Sequence, residues 1–239
     1  MANYKRILLK LSGEALSDNR QKLILDAGHL DIIATAIKSM YEQGVQIAIV
    51  VGAGNIWRGK LAEQIGIERS TADYMGMLGT IINALALQSA VEKTGLECRV
   101  MSAIEVKAVS EPYIKKRAIS HMEKGRVVIF AGGTGNPFFT TDTTATLRAI
   151  EIEADAILMA KNGVDGVYDD DPRTNKNANF IPEITFGDLL AKNLQVMDQT
   201  AVSMIQYQDI IIHVFNMNDT QNFLRVLNGE KIGTIVKKG

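Results

Sequence analysis

The sequence predicts an α/β fold in which an open, mostly parallel, twisted sheet lies between two helical layers, a three-layer α/β/α sandwich. Short β-branched runs alternate with longer segments of helical periodicity along all 239 residues. Several of these runs are apolar throughout, which is typical of strands covered on both faces. No change of composition marks a boundary, so residues 1–239 are predicted to form a single domain.

In the first half of the chain, predicted strands alternate with predicted helices. A strand over residues 4–11 is followed by a helix over 30–43, because apolar residues recur at Leu30, Ile33 and Ile37 and Gly44 can end it. The apolar run 45–51 predicts a buried strand. A helix over 73–93 follows. Its uncharged part, residues 74–91, is too polar for a membrane span and is predicted to pack in the core or against a second subunit.

The second half continues the same pattern. A strand over 98–101, a helix over 111–123 that Gly125 can end, and a strand over 126–131 are predicted first. A helix over 141–153 and a strand over 155–160 come next. Short helices over 186–190 and 197–206, a strand over 210–215, a helix over 220–227 and a strand over 233–236 complete the series.

Composition excludes several classes of protein. The 26 basic and 27 acidic residues give a net charge of -1, which argues against nucleic-acid or membrane-surface partners. The single cysteine, Cys98, excludes a disulfide scaffold and fits a reducing compartment. Because the start of the chain has no hydrophobic targeting region, a cytoplasmic location is expected.

Glycine-rich turns follow three of the predicted strands, after residues 11, 51 and 131. In an open α/β sheet, ligands bind at the carboxyl ends of the strands, and glycine-rich turns there let backbone N–H groups approach an anion. Each glycine alone can simply close a tight turn. Three turns on one edge, together with Lys10 and Arg58, favour a phosphate site.

Known phosphate and metal motifs do not account for these turns. The run Gly54 to Lys60 follows the Walker pattern until Leu61, where a hydroxyl should hold magnesium. Two of the turns have the spacing Gly-x-Gly, but neither Gly52-Ala53-Gly54 nor Gly133-Thr134-Gly135 has the third glycine of a dinucleotide fingerprint three positions later. No His/Cys cluster is present in the sequence, so no metal site is predicted from protein ligands alone.

Several motifs together resemble a known family. They are Lys10-Leu11-Ser12-Gly13-Glu14-Ala15-Leu16, Gly52-Ala53-Gly54-Asn55, Asp73-Tyr74-Met75-Gly76 and above all Thr134-Gly135-Asn136-Pro137-Phe138-Phe139-Thr140-Thr141-Asp142. These motifs resemble the bacterial uridylate kinases, which have the amino acid kinase fold. The resemblance implies transfer of the γ-phosphoryl group of ATP to UMP, giving UDP in de novo pyrimidine nucleotide (CTP) biosynthesis. It also implies Mg²⁺ with ATP.

The resemblance assigns site residues. It gives catalytic roles to Lys10, Arg58 and Asp142. The residues it places at ATP are Lys10, Leu11, Ser12, Gly13, Gly54, Arg58, Asn162, Tyr168 and Asp171. The residues it places at UMP are Ala53, Asp73, Thr134, Gly135, Asn136, Pro137, Phe138, Phe139, Thr140 and Thr141.

Simpler roles compete with some of these assignments. Asp73 could be only the N-cap of the long helix, and Asp142 only an acidic residue in a helix's first turn. One of Phe138 and Phe139 is expected in the core. Asp169 and Asp170 are expected to be only part of a solvated loop, although they neighbour Asp171.

Two departures from the family pattern carry expectations of their own. Ala53 stands where the family has the middle glycine of Gly-Gly-Gly-Asn, and its methyl group is expected to narrow the approach of the backbone to phosphate. Residues 17–25 lack a Gly-rich stretch, which puts activation by GTP in doubt. The resemblance further implies a homohexamer built from dimers and possible inhibition by UTP.

Two rival functions remain. The first is a kinase of the same fold acting on a carboxylate or carbamate, against which the run from Thr134 to Asp142 argues. The second is a non-catalytic nucleotide-binding protein, which need not keep Lys10 and Asp142 together.

Overall fold

The computed structural model describes residues 3–18, 20–172, 174–194 and 196–239, without the side chains of Lys60 and Glu63. Within the segment 17–25, Asn19 lies outside the described residues. Among the described residues, the strands are β1 (Arg6–Leu11), β2 (Gln46–Val51), β3 (Cys98–Ser102), β4 (Glu111–Pro112), β5 (Val127–Ala131), β6 (Ala156–Lys161), β7 (Val167–Tyr168), β8 (Phe180–Ile181), β9 (Glu183–Thr185), β10 (Ile211–Asn216) and β11 (Thr234–Lys237). The helices are α1 (Ala27–Tyr41), α2 (Gly59–Gln64), α3 (Arg69–Lys93), α4 (Lys115–Glu123), α5 (Thr141–Glu151), α6 (Phe186–Ala191), α7 (Gln199–Ile205) and α8 (Gln221–Leu227), with a 3₁₀ turn over Gly13–Leu16.

The central sheet has the strand order β4-β3-β5-β2-β1-β6-β10-β11-β9 in the described part of the chain. Its neighbouring strands run parallel except β10 and β11, which pair antiparallel. β7 and β8 form a separate antiparallel hairpin. β1 is the central strand, with β2 on one side and β6 on the other. This arrangement confirms the predicted mostly parallel sheet.

Helices cover both faces of the sheet, which confirms the three layers. On β1, Ile7 and Leu9 enter one core with α1, α3 and α8, whereas Leu8 enters a second core with α4, α5, α6 and α7. These strand residues are fully buried. Alternate residues of a strand point to opposite faces, so a run that is apolar throughout fits a sheet covered on both sides.

The long helix α3 differs from its prediction at its start. It begins at Arg69, after the N-cap residue Glu68, so Asp73 lies inside the helix and is not its N-cap. By length and apolarity α3 alone among the described helices could span a membrane, yet Ala84, Leu87 and Val91 are buried in the first core. One face of α3 therefore packs in the core, as predicted.

The predicted helix over 111–123 is wrong in its first part. Glu111 and Pro112 form the edge strand β4, which pairs with Met101 and Ser102, and the helix begins only at Lys115. Proline fixes its own φ and lacks an N–H, so it fits an edge strand better than a helix interior. Helical periodicity alone did not predict the 3₁₀ turn, the short helix α2 or the strands β7, β8 and β9.

Candidate active site at the carboxyl ends of the strands

Two of the glycine turns meet at the ends of β1 and β2. A Cβ atom added at Gly13 would lie 2.2 Å from Asn55 Oδ1 and 2.6 Å from the Gly52 carbonyl oxygen, so only glycine fits there. The third turn, after β5, has left-handed backbone at Gly132 and Gly133, with φ of 73° and 59°. Glycine adopts such angles without the strain that other residues incur. The three turns therefore lie on one edge of the sheet, as predicted.

Buried polar side chains of α3 position two of these turns. The Nδ2 atom of Asn83 donates to the Gly52 carbonyl at 2.7 Å and to Asn55 Oδ1 at 2.8 Å. The Thr80 hydroxyl accepts from the Gly132 N–H at 2.9 Å. Buried polar groups without partners cost stability, so each contact ties a turn firmly to the core. The sequence carried one signal of this role, namely polar residues within the uncharged, mostly apolar part of the helix, residues 74–91.

A lysine and an aspartate meet at the end of β1. Lys10 Nζ lies 2.8 Å from Asp142 Oδ1, with 12% and 20% of the two side chains exposed. The Asp142 oxygen is buried and makes no directed hydrogen bond besides this ionic contact. Asp142 belongs to the first turn of α5, where a carboxylate complements the helix dipole. The structure therefore joins Lys10 and Asp142 as an ion pair. Asp142 is also an acidic residue in the first turn of a helix, which is the simpler role considered for it.

Thr140 begins α5 and carries a network that sequence reasoning missed. Its hydroxyl accepts from the N–H groups of Asp142 and Thr143 at 3.1 Å each and donates to Asp198. The Thr143 hydroxyl also donates to Asp198, which is the N-cap of α7. Burial raises the pKa of Asp198, but hydrogen bonds from Thr140, the Ala201 N–H and Thr143 together lower it below its usual value. An ionised Asp198 thus fixes the start of α5.

A cavity of about 430 Å³, which we call the first cavity, lies beside the ends of β2 and β5. Its lining is Val50, Val51, Ala53, Gly54, Trp57, Gly59, Arg69, Ala72, Asp73, Gly76, Met77, Thr80, Phe130, Gly133, Phe139, Thr140, Thr141 and Thr144. Of the predicted UMP residues, Ala53, Asp73, Phe139, Thr140 and Thr141 line it, together with the predicted ATP residue Gly54.

The other predicted UMP residues form a segment beside the first cavity. The Thr134 hydroxyl donates to the Asn136 carbonyl at 3.1 Å, and Gly135, with φ of 83°, donates its N–H to the Gly132 carbonyl. Pro137 and Phe138 follow. We call residues 133–140 the 133–140 segment. It connects the end of β5 to the start of α5 and borders the cavity.

Asp73 ties the 133–140 segment to α3. Its Oδ2 atom accepts from the Phe138 N–H at 2.8 Å, and both of its oxygens lie 3.1 Å from Arg69 Nε. Phe138 and Phe139 are 67% and 51% exposed, so the expectation that one of them belongs to the core is wrong. The backbone of Phe138 has φ of 73°, a conformation that side chains other than glycine rarely adopt. The strained backbone at Phe138 is thus the one whose N–H donates to Asp73.

Ala53 lies against α3. A Cβ atom added at Gly79 would lie 2.9 Å from the Ala53 Cβ, and Ala53 is 8% exposed. The methyl group therefore takes space that the missing side chain of Gly79 leaves open. The sequence identified the unusual alanine but not the glycine that accommodates it, because the two are distant along the chain.

Another cavity of about 560 Å³, which we call the second cavity, lies beside the ends of β6 and β10. Its lining is Lys161, Val164, Gly166, Val167, Tyr168, Asp169, Asp170, Asp171, Pro172, Lys192, Asn193, Leu194, Val196 and Val214. Tyr168 and Asp171 were predicted at ATP, and the predicted residue Asn162 directly follows Lys161. The two cavities thus lie on opposite sides of β1.

Asp169 and Asp170 are exposed residues of the loop after β7, as expected, and they also line the second cavity. The side-chain amide and backbone N–H of Asn179 donate to Asp169 and lower its pKa. The Asn175 side chain and the Asp171 N–H likewise lower the pKa of Asp170. These contacts hold the wall of the cavity in shape.

Arg58 lies at the exposed rim of the glycine turns. Its side chain is 65% exposed, it pairs with Glu14, and its Nε donates to the Gly54 carbonyl at 3.1 Å. Leu11 is fully buried, whereas Ser12 and Gly13 begin the turn after β1. Glu14 is a partner that sequence reasoning did not identify. A guanidinium held by one exposed carboxylate keeps donors for a phosphate.

The described residues contain no group of three metal-ligating side chains. Asp142 is the carboxylate at the end of the central strand, and the oxygens of Asp198 are engaged by hydroxyl and N–H donors. Magnesium in nucleotide enzymes keeps several waters and is held by one or two carboxylates together with substrate phosphates. One partly engaged carboxylate fits a metal ion that arrives on a triphosphate.

Known proteins match this chain over most of its length. The sequence model of the amino acid kinase family matches residues 5–216. A uridylate kinase of Rubrobacter xylanophilus is 55% identical over 233 residues, covering 97% of this chain and 91% of that protein. The UMP kinase of Bacillus anthracis superposes with a TM-score of 0.95 at 46% identity, covering 98% of this chain and 96% of that one. The UMP kinase of Ureaplasma parvum superposes with a TM-score of 0.92 at 41% identity, covering 98% and 99%.

Proposed function

This chain belongs to the amino acid kinase family, and we propose that it is a UMP kinase, which transfers the γ-phosphoryl group of ATP to UMP. The observation that carries the proposal is the ion pair of Lys10 and Asp142 at the end of β1, between two cavities. A phosphoryl group must pass between two bound nucleotides, and a buried ammonium group between them can neutralise its charge. The names of the similar proteins supply the substrate, UMP.

In this proposal the first cavity holds UMP. The carboxylate of Asp73 is a hydrogen-bond acceptor at its wall and suits ribose hydroxyl groups. Thr140 and Thr141 stand where α5 begins, and backbone N–H groups at a helix N-terminus favour a phosphate. Ala53 and Gly54 complete the edge nearest β1. The remaining residues, Thr134 to Phe139, enclose the uridine from the 133–140 segment.

The second cavity then holds the adenosine of ATP. Tyr168 offers an aromatic ring and Asp171 a carboxylate, and Asn162 stands at the end of β6. From there the triphosphate extends toward Leu11, Ser12 and Gly13, where the turn after β1 brings backbone groups close. Lys10 and Arg58 supply positive charge on that path.

The transfer needs alignment and charge neutralisation more than covalent help from the protein. An oxygen of the UMP phosphate forms a bond to the γ-phosphorus, while the bond from that phosphorus to the oxygen bridging it to the β-phosphate breaks. A phosphate monoester loses its second proton near pH ~6, so this oxygen is ionised at neutral pH and needs no general base. ADP leaves with the bridging oxygen. Lys10 lies where it can contact the transferring group throughout.

Asp142 keeps the Lys10 ammonium group in position. Because the two atoms are 2.8 Å apart and mostly shielded from water, the lysine is held in one orientation at the end of β1. Arg58 can move from Glu14 to a phosphate, since both side chains are at the surface. Mg²⁺ supplies further neutralisation of the triphosphate when it is bound with ATP.

We further propose that the enzyme works in the cytoplasm, in de novo pyrimidine (CTP) biosynthesis, as a homohexamer built from dimers. Tyr74, Leu78 and Ile82 form an exposed apolar stripe on α3, with 44%, 49% and 51% of each residue exposed, and this supports a dimer contact. Inhibition by UTP belongs to the same proposal, activation by GTP stays in doubt, and neither nucleic acid nor membrane is proposed as a partner. The single domain over residues 1–239 remains a proposal as well.

A substrate panel tests the proposed activity. Purified protein with ATP and Mg²⁺ is offered UMP, CMP, AMP and acetylglutamate, and ADP release is followed in a coupled assay. We expect ADP release with UMP and its loss when a chelator removes Mg²⁺. Activity with acetylglutamate alone would favour the carboxylate kinase, whereas binding of nucleotides without any ADP release would favour the non-catalytic protein.

A further inference from the structure

Arg148 is a buried cation that the proposed mechanism does not use. It lies on α5, and only 5% of its side chain is exposed. Burying a guanidinium is costly unless its donors find partners. Its Nη1 atom lies 2.6 Å from Glu151 Oε2, so a salt bridge offsets part of that cost.

An aromatic ring covers the face of the guanidinium. The Arg148 Cζ atom lies 3.8 Å from the centre of the Tyr113 ring, and the Tyr113 hydroxyl donates to Glu151 at 2.6 Å. Burial and the hydrogen bond to Glu151 raise the pKa of Tyr113, so the hydroxyl remains a donor. The same ring packs edge-on against Phe130, which lines the first cavity. Tyr113 and Glu151 therefore hold Arg148 in one orientation beside that cavity.

The remaining contact of Arg148 reaches the 133–140 segment. Its Nη2 atom donates to the Gly133 carbonyl at 3.3 Å. Gly133 opens the segment, and α5, which carries Arg148, begins directly after the segment ends. One buried side chain therefore links the first residue of the segment to the body of α5, the helix that follows it. If Arg148 only stabilised α5, its salt bridge to Glu151 would be sufficient, and no contact with Gly133 would be needed.

We propose that Arg148 is a positioning residue for the acceptor nucleotide, acting through Gly133 on the 133–140 segment. The proposal rests on the proposed function, because the acceptor is taken to be UMP. Loss of the contact should weaken UMP binding and leave ATP binding unchanged, since the second cavity lies on the other side of β1.

Kinetics of Arg148→Lys and Arg148→Met test the proposal. Lysine keeps the charge but not the forked geometry that reaches both Glu151 and Gly133, and methionine keeps only the apolar stem. We expect the KM for UMP to rise about tenfold in both variants, while the KM for ATP stays within twofold of the unchanged enzyme. Calorimetric titration of UMP without ATP should show the same loss of affinity.

Arg225→Met is the matched control, because Arg225 also pairs with a glutamate near a helix end but lies at the surface on α8. It should leave both KM values unchanged. Tyr113→Phe keeps the ring over Arg148 and removes only the hydroxyl that holds Glu151, so the KM for UMP should rise less than in the Arg148 variants.

The outcomes separate the two claims. If the unchanged protein forms no ADP with UMP, the proposed function fails. If it is active but the Arg148 variants show equal rises in both KM values, a change confined to kcat, or no change, Arg148 is not a positioning residue for the acceptor. Failure of both variants to fold, measured by circular dichroism, would also overturn the proposal, because Arg148 would then serve the fold alone.

Discussion

The two cavities flank the same strand but are built differently. The first cavity is held by fully or largely buried polar side chains of a core helix, Asn83 and Thr80, which bind the glycine turns directly. Part of the wall of the second cavity comes from β7 and the loop after it, in the hairpin of β7 and β8 outside the main sheet. The buried Thr234 hydroxyl of β11 contacts both strands of this hairpin, accepting from the Val167 N–H and donating to the Ile181 carbonyl.

This difference has a physical consequence. Contacts made inside the core set the shape of the first cavity, so under the proposed function its selectivity for the acceptor would follow from the packing of α3 and α5. The wall of the second cavity depends on surface aspartates and asparagines and on Thr234. Variants near one cavity should therefore alter the binding of one nucleotide only, whereas variants between the cavities should alter the transfer itself.

The largest expected effect lies between the cavities. Lys10→Ala removes the ammonium group at the end of β1 and should lower kcat about 10²- to 10³-fold, because charge on the transferring group is no longer neutralised. Both KM values should change much less. Steady-state kinetics measures the effect, and thermal unfolding checks that the variant is folded.

Lys5→Ala is the control for this variant, since Lys5 is exposed just before β1, at the opposite end of the strand. It should leave kcat unchanged. An unchanged kcat in Lys10→Ala would remove Lys10 from the mechanism.

Asp73→Asn should weaken nucleotide binding in the first cavity only. The amide loses the charge that binds Arg69 and accepts less strongly from the Phe138 N–H. We expect the KM for UMP to rise about thirtyfold with an unchanged KM for ATP, as for loss of charge-assisted hydrogen bonds. Asp209→Asn, which also removes a surface ion-paired carboxylate, serves as the control. Equal changes in both KM values would contradict a role limited to the first cavity.

Thr234→Val should weaken nucleotide binding in the second cavity only. The Thr234 hydroxyl accepts from the Val167 N–H at 2.8 Å and donates to the Ile181 carbonyl at 2.5 Å, and valine has nearly the same shape without these contacts. The KM for ATP should rise about fivefold, while the KM for UMP stays constant. Thr35→Val, on an exposed position of α1, is the control. A rise in the KM for UMP instead would show that the hairpin also shapes the first cavity.

The smallest effect concerns stability near the first cavity. Gly79→Ala should destabilise the protein by about 1 kcal/mol, because the new methyl group meets Ala53 and the clash outweighs the gain in helix propensity. In the Ala53→Gly background the same change should be neutral or stabilising. Chemical denaturation of the two single variants and the double variant measures this coupling. Additive free energies of unfolding would show that the two residues do not share the space.

Much of the fold could be predicted because its signals are local. The apolar runs that became β1, β2 and β5 and the glycines after them need no long-range information. The 3₁₀ turn, α2 and the β7–β8 hairpin are too short for periodicity to reveal, and Glu111 and Pro112 form a strand only because β3 is available to pair with them.

The candidate site was predictable to a similar extent. Lys10 and Asp142 followed from the motifs that carry the resemblance, and the structure joins them. Asn83, Thr80 and Asp198 were not predicted as site residues, because their partners lie tens of residues away along the chain. The match of Gly79 to Ala53 was hidden for the same reason.

In the proposed function, two separate cavities hold the two nucleotides at once, on either side of Lys10. Calorimetric titration of UMP into the protein, alone and saturated with an ATP analogue that cannot be hydrolysed, tests it most directly. We expect one UMP bound per chain in both cases, with an affinity that changes little. Loss of UMP binding in the presence of the analogue, as expected for competition at one site, would contradict it.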